Sequence, residues 1–154
     1  MNWSGGGFST VFARPSYQDA AVTNYLSSAA NLPAASFYNA TGRGYPDVSA
    51  LGTNYNVFAE GNWVTMSGTS CASPTFSGVV SLIVAERIAA GNSSLGFLNP
   101  TLYRLGKVGY DVVSGQSQDT NCLFATIPGY PAATGWDAVS GLGTPDYNFL
   151  RQSL

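Results

Sequence analysis

Any chemistry in this 154-residue chain has to be done without histidine. That removes a Ser-His-Asp triad, a Cys-His dyad and a histidine-ligated zinc site from what the chain can build by itself. Acid–base work falls to eight carboxylates, Asp19, Asp47, Glu60, Glu86, Asp111, Asp119, Asp137 and Asp146, and no two of them stand at the short helical spacing of a paired-carboxylate motif. The candidate nucleophile is Ser70, in Ser67-Gly68-Thr69-Ser70, directly ahead of Cys71, Pro74 and a long apolar run. A serine in a Gly-Thr-Ser turn that opens a helix projects its hydroxyl from the turn, and its own N–H lies at the positive end of the helix dipole, where it can bind an oxyanion. The same placement also suits a serine that only caps the helix. Asp111 and Asp137 flank glycine-rich loops. Hard cations such as Ca²⁺ take carboxylates together with backbone carbonyls of that kind, although surface aspartates also cap turns.

The elements that must position these groups can be read from spacing. Tyr17, Ala21, Tyr25 and Ala29, with Val22 and Leu26 beside them, form a 3.6-residue stripe after Pro15, which predicts an amphipathic helix from Pro15 to about Ala29. Pro46-Asp47-Val48-Ser49-Ala50-Leu51 reads as a short buried strand, and Tyr55 to Ala59 with Trp63 to Met66 as a hairpin around Glu60-Gly61-Asn62. After Pro74 the chain is apolar on nearly every face until Glu86 and stops at Gly91-Asn92, the pattern of a helix buried in the centre of a larger core. Asn99 is expected to cap a second short helix with Pro100 at its first position, over Thr101 to about Leu105. The triple glycine of Ser4-Gly5-Gly6-Gly7-Phe8-Ser9 reads as a tight loop that lets the backbone approach another group closely. It is not a phosphate cradle, because no Lys-Ser/Thr follows the last glycine.

Composition narrows the partners. Net charge is −2 and only 9% of residues are charged, against roughly 25% in ordinary soluble domains. Six scattered cations, Arg14, Arg43, Arg87, Arg104, Lys107 and Arg151, give no basic footprint for nucleic acid. No apolar run reaches the ~20 residues of a membrane span, and the N-terminus lacks the basic and apolar regions of a signal peptide. Three sequons, at Asn2, Asn39 and Asn92, together with the uncharged polar surface, favour an extracellular or lysosome-like compartment. Cys71 and Cys122 are then either one disulfide, of ~3–4 kcal/mol by chain entropy, or two buried thiols.

Four motifs occur in one order: Ser4-Gly5-Gly6-Gly7-Phe8-Ser9; Gly42-Arg43-Gly44-Tyr45-Pro46-Asp47-Val48; Ser67-Gly68-Thr69-Ser70 with Pro74; and Gly135-Trp136-Asp137 leading to Gly141-Leu142-Gly143-Thr144-Pro145. With them, the chain resembles the C-terminal half of a sedolisin, a serine-carboxyl peptidase. The resemblance covers essentially all of residues 1–154 and implies an α/β fold, the C-terminal part of a subtilisin-like doubly wound parallel sheet. It implies an acid-active peptidase acting on peptide or protein substrates, with a Ser-Glu-Asp triad in which Ser70 is the nucleophile. A carboxylate is a general base only while ionised, so its low pKa suits an acidic working pH.

The resemblance also implies one Ca²⁺ in loops at about 109–145, held by the side chains of Asp111 and Asp137 and the carbonyls of Val112, Ala133 and Gly135, with Asp119 and Asp146 as bystanders. In the family the triad Glu and Asp and the oxyanion Asp precede the Gly-Gly-Gly-Phe motif. They are therefore expected on an upstream part of the same domain, and Asp47 is read as structural. The other reading is an inactive, calcium-stabilised fragment that needs a complementary N-terminal portion; a subtilisin-type peptidase with its His and Asp upstream is a smaller alternative. Without the upstream strands the chain is expected to expose a sheet edge and apolar helix surface.

Overall fold

The computed structural model describes residues 5–117 and 129–154. The triple glycine, expected to form a loop, feeds directly into strand β1 (Gly7–Ala13), which pairs antiparallel with β2 (Gly42–Tyr45). Gly7 faces Tyr45 and Phe8 faces Gly44, and an irregularity then brings Ala13 opposite Gly42. The close approach expected of the glycines is present. A Cβ on Gly6 would stand 1.9 Å from the carbonyl oxygen of Ala138, and Gly7, at φ 142°, lies against the Tyr130 ring. Gly44 makes room for Trp136, whose ring would meet a Cβ there at 2.7 Å. Around these glycines Phe8 packs edge-on to Tyr130 and Trp136, and Trp136 edge-on to Tyr25. Gly44→Ala should therefore lower stability by about 1–3 kcal/mol through overpacking; an unchanged denaturant midpoint would contradict this packing.

The predicted first helix is present, but it opens with a 3-10 turn, Ser16–Gln18, before α1 (Asp19–Ser28). Val22 and Tyr25 on its inner face are fully buried. The hairpin is formed by β3 (Tyr55–Ala59) and β4 (Asn62–Met66). Its loop is the two residues Glu60 and Gly61, both at positive φ, one residue shorter than expected. The strand expected over 46–51 does not form. Its backbone bonds instead to the C-terminal turn, Leu142 N–H to the Asp47 carbonyl (2.9 Å) and Ser49 N–H to the Gly143 carbonyl (3.0 Å).

Helix α2 (Thr69–Ala89) carries the apolar run. Among its residues only Ile83 is fully buried, while Leu82 and Ile88 are more than half exposed. The run is apolar all round, as read, but the helix meets partners on one side only and is not the buried centre that pattern predicts. Helix α3 (Asn99–Leu105) has Pro100 in its first turn, with Leu98 at the cap in place of Asn99 and no side chain closing the end. The short pair β5 (Gly109–Tyr110) and β6 (Thr144–Pro145) leads into α4 (Tyr147–Ser153), capped by Asp146, whose carboxylate accepts the Phe149 N–H at 2.8 Å.

All three ladders among the described residues are antiparallel, so the parallel doubly wound sheet is not built by these residues. The core lies where β1, α1, α3, α4 and the 136–142 turn converge, on Phe8, Val22, Tyr25, Leu102, Val108, Trp136, Leu142 and Leu150. No helix among the described residues is long and apolar enough to cross a membrane.

The far end of α2 is tied to α4 by Glu86, which accepts from the Tyr147 hydroxyl and pairs with Arg151. These hydrogen bonds hold the Glu86 carboxyl below its ordinary value. A carboxyl with a depressed folded pKa contributes stability above its unfolded pKa and loses it as pH falls through the folded one. Glu86→Gln should thus lower the melting temperature slightly near neutral pH, and the difference should vanish in acid. A gap that persists below the carboxylate range would show that the tie is not ionic.

Candidate active site

The turn ahead of α2 is fixed from both sides. Gly68 N–H donates to the Gly52 carbonyl at 2.6 Å, and the Gly68 carbonyl accepts from Cys71 N–H at 2.9 Å. Gly68 sits at φ 147° and ψ 165°, a conformation that favours glycine. On the hairpin side the Ser67 hydroxyl accepts the Asn54 N–H. The Tyr55 hydroxyl donates to the Leu51 carbonyl (2.7 Å) and meets Thr75 Oγ1 (2.8 Å), which in turn donates to the Cys71 carbonyl.

Ser70 is the second residue of the helix and is exposed. The capping reading fails on geometry: the N-cap is Gly68, and no side chain makes a cap hydrogen bond. The Ser70 hydroxyl is thus left free for other work, and its N–H lies among the helix's unpaired N-terminal donors. Pro74 withholds the N–H that would otherwise bond the Ser70 carbonyl. Among the described residues no carboxylate hydrogen-bonds the Ser70 hydroxyl. Cys71 is half-buried in the same turn and forms no disulfide among the described residues; Cys122 and Asp119 lie outside them.

Asp47 is held within the fold. Its carboxylate pairs with Arg43 and accepts from the Tyr103 hydroxyl (2.9 Å) and Gln18 Nε2 (3.3 Å). Gln18 is fully buried and spans the group, bonding both the carbonyl and the N–H of Gly44. Burial, and then the nearby Asp47 charge, push the Tyr103 hydroxyl well above its usual range. Nothing in the local sequence marks Gln18 or Tyr103, because they meet Asp47 only across the fold. Glu60 sits in the hairpin turn, exposed.

Four of the five expected metal-site residues, Asp111, Ala133, Gly135 and Asp137, meet in one loop cluster, where Ala133 and Gly135 reach the carboxylates through their N–H groups. Asp137 is fully buried. Its Oδ1 accepts from Val139 N–H (2.9 Å) and Ser140 N–H (2.7 Å), and its Oδ2 from Ala133 N–H (3.0 Å). Burial raises its pKa against the lowering effect of those donors. Asp111 is exposed and reaches the same turn, accepting the Gly135 N–H at 2.8 Å. A buried carboxylate held by three backbone N–H groups and the Ser140 hydroxyl, with a second carboxylate on the adjoining turn, brings together hard oxygen donors of the kind a hard cation takes. No group of three or more His, Cys, Asp or Glu side chains gathers among the described residues, so backbone carbonyls would have to complete the coordination. The turn after Asp137 and the start of α2 line one cavity. A cavity of about 500 Å³ lies between Val139, the 46–53 segment and one face of α2, which presents Thr69, Ala72 and Phe76.

No family model matches the chain. It is 47% identical over 157 residues to human tripeptidyl-peptidase 1 and 48% identical to the bovine protein, in both cases across 98% of this chain. The chain spans about a quarter of the length of these relatives, 27%. In fold it matches Pseudomonas sedolisin, a serine-carboxyl proteinase solved with two molecules of pseudo-iodotyrostatin. That match has a TM-score of 0.66 at 25% identity and covers 96% of this chain and 35% of the proteinase. One stretch of sequence is thus similar to tripeptidyl-peptidase 1 and one arrangement of elements to Pseudomonas sedolisin, and together these likenesses support a C-terminal portion of a sedolisin-type peptidase.

Proposed function

We propose that the chain supplies the nucleophile and a calcium-binding loop cluster of an acid-active serine-carboxyl peptidase. The observation that carries this is Ser70: an exposed, uncommitted hydroxyl on the first turn of α2, behind a glycine cap locked to Gly52. In the reaction the Ser70 oxygen attacks the scissile carbonyl while its proton passes to a carboxylate. The Ser70 N–H receives part of the charge that develops on the carbonyl oxygen. Return of the proton to the leaving amine frees the first product, and water then hydrolyses the acyl-serine.

The carboxylate base and the oxyanion acid are assigned to an upstream portion of the domain. Two features support this: no described carboxylate reaches Ser70, and the relatives extend far beyond the matched stretch. The same portion would fill the cavity beside α2, cover Leu82 and Ile88, and contribute the strands of a doubly wound parallel sheet. Asp111, Asp137 and the carbonyls of Val112, Ala133 and Gly135 would hold one Ca²⁺, which when bound neutralises the buried Asp137 and clamps the two turns. Peptides or proteins are the substrates, and the working compartment is lysosomal, vacuolar or extracellular, consistent with the sequons.

The exposed faces of α2 also favour a second reading for the chain taken alone: a calcium-stabilised piece, inactive until its complement binds. Peptidase assays on a mixed peptide pool at about pH 4 and pH 7, with calcium present and with or without the upstream portion, test both. Cleavage at the acid pH only when the portions are combined is expected. Equal cleavage at pH 7, or full activity of the chain alone, would overturn the carboxylate-base assignment or the need for a complement respectively.

A further inference from the structure

We propose that Asp47 is a positioning residue for Ser70, acting through the segment 46–52; this rests on the reading of Ser70 as nucleophile. The segment is anchored at one end by five contacts. Trp136 Nε1 donates to the Pro46 carbonyl at 2.9 Å, and Leu142 N–H donates to the Asp47 carbonyl. The Asp47 carboxylate is gripped by Arg43, Tyr103 and Gln18. Two residues beyond Asp47, Ser49 N–H adds the bond to the Gly143 carbonyl.

Five residues beyond Asp47 the chain delivers the Gly52 carbonyl to Gly68 N–H, which sets where α2 begins and so where Ser70 points. The fit at that contact is close: a Cβ on Gly52 would stand 3.2 Å from the Gly68 carbonyl oxygen. The segment leaves the β1–β2 ladder at Tyr45 and joins no ladder itself, so the side-chain grip on Asp47 works with the two backbone bonds to residues 142 and 143 in fixing its path. An acid with no contact to substrate is therefore tied to the orientation of the nucleophile.

The Gly68 amide reports the contact directly, and its hydrogen exchange in the full chain is the primary test. In Asp47→Asn, which removes the charge that Arg43 holds, Gly68 exchange should accelerate about tenfold, while amides in the second half of α2 keep their rates. Glu86→Gln, which loosens the other end of the helix, should leave Gly68 unchanged. Tyr103→Phe removes one donor to Asp47 and should move Gly68 in the same direction by a smaller factor, so the test survives if the first variant folds poorly.

When the chain is combined with its upstream portion, Asp47→Asn should lower kcat about tenfold with KM within about twofold, the split expected when only nucleophile alignment is lost. An unchanged Gly68 rate, a uniform acceleration across the core, or a rise in KM at constant kcat would overturn the proposal. If Ser70→Ala leaves activity intact, the reading of the nucleophile fails, and the Gly68 exchange rate still decides whether Asp47 fixes the turn.

Discussion

Ser70→Ala, in the chain combined with its upstream portion, should abolish acid peptidase activity, by at least about 10⁴-fold in kcat. The loss is expected to be that large because nucleophile, base and oxyanion donors act as a unit. Removing the attacking oxygen leaves only what binding and the oxyanion site contribute. Folding should be unaffected, since the Ser70 hydroxyl neither caps α2 nor holds a partner in the turn, which is built by Gly68, Gly52 and Tyr55. A matching melting temperature with activity near zero is the expected pair of results. Residual activity within tenfold of the parent would move the nucleophile elsewhere, with Ser73 on the same helix the next hydroxyl to test.

Asp137→Ala should produce the largest loss of stability of any single change considered. The carboxylate is fully buried and serves three backbone N–H groups, those of Ala133, Val139 and Ser140, as well as the Ser140 hydroxyl. Removing it strands those donors in the interior, at about 1–3 kcal/mol each where water cannot replace it. A net loss of about 3 kcal/mol or more is expected. Under the proposed calcium site, calcium should raise the melting temperature of the parent, and the same substitution should erase that rise because it removes the buried carboxylate. Asp111→Ala provides the contrast: it loses one exposed bond to Gly135, so it should keep most of the stability while weakening the calcium response. A parent whose melting is identical with calcium and with chelator would remove the metal site and leave Asp137 as a purely structural hub.

Much of this arrangement is legible locally and some of it is not. The α1 stripe, the hairpin, Pro100 in the first turn of α3 and the Gly-Thr-Ser turn are written in neighbouring residues, and each appears at or near its expected place. The triple glycine is legible as a close approach but not as the start of a strand. Its partner Gly42-Arg43-Gly44-Tyr45 lies far along the chain and has itself two glycines, which carry no strand period. Residues 46–51 have the composition of a buried strand, yet their hydrogen bonds are taken by Leu142 and Gly143, over ninety positions away. Helix α2 shows the limit of periodicity: an all-apolar helix signals a need for cover on every side and says nothing about which chain provides it. The Asp47 cluster gathers residues 18, 43, 47 and 103 from three separate regions, so no spacing rule could have found it. The cap on Gly68 was hidden by the serine two residues later, whose type fits a cap equally well.

The most direct test of the central claim is to trap the acyl intermediate. The chain with its upstream portion is incubated at about pH 4 with a slowly deacylating peptide ester, quenched in acid and digested. Mass spectrometry should then find the acyl group on Ser70, with none in Ser70→Ala. Turnover with no adduct on the 67–77 segment, or an adduct on another residue that survives Ser70→Ala, would contradict the assignment of Ser70 as the nucleophile.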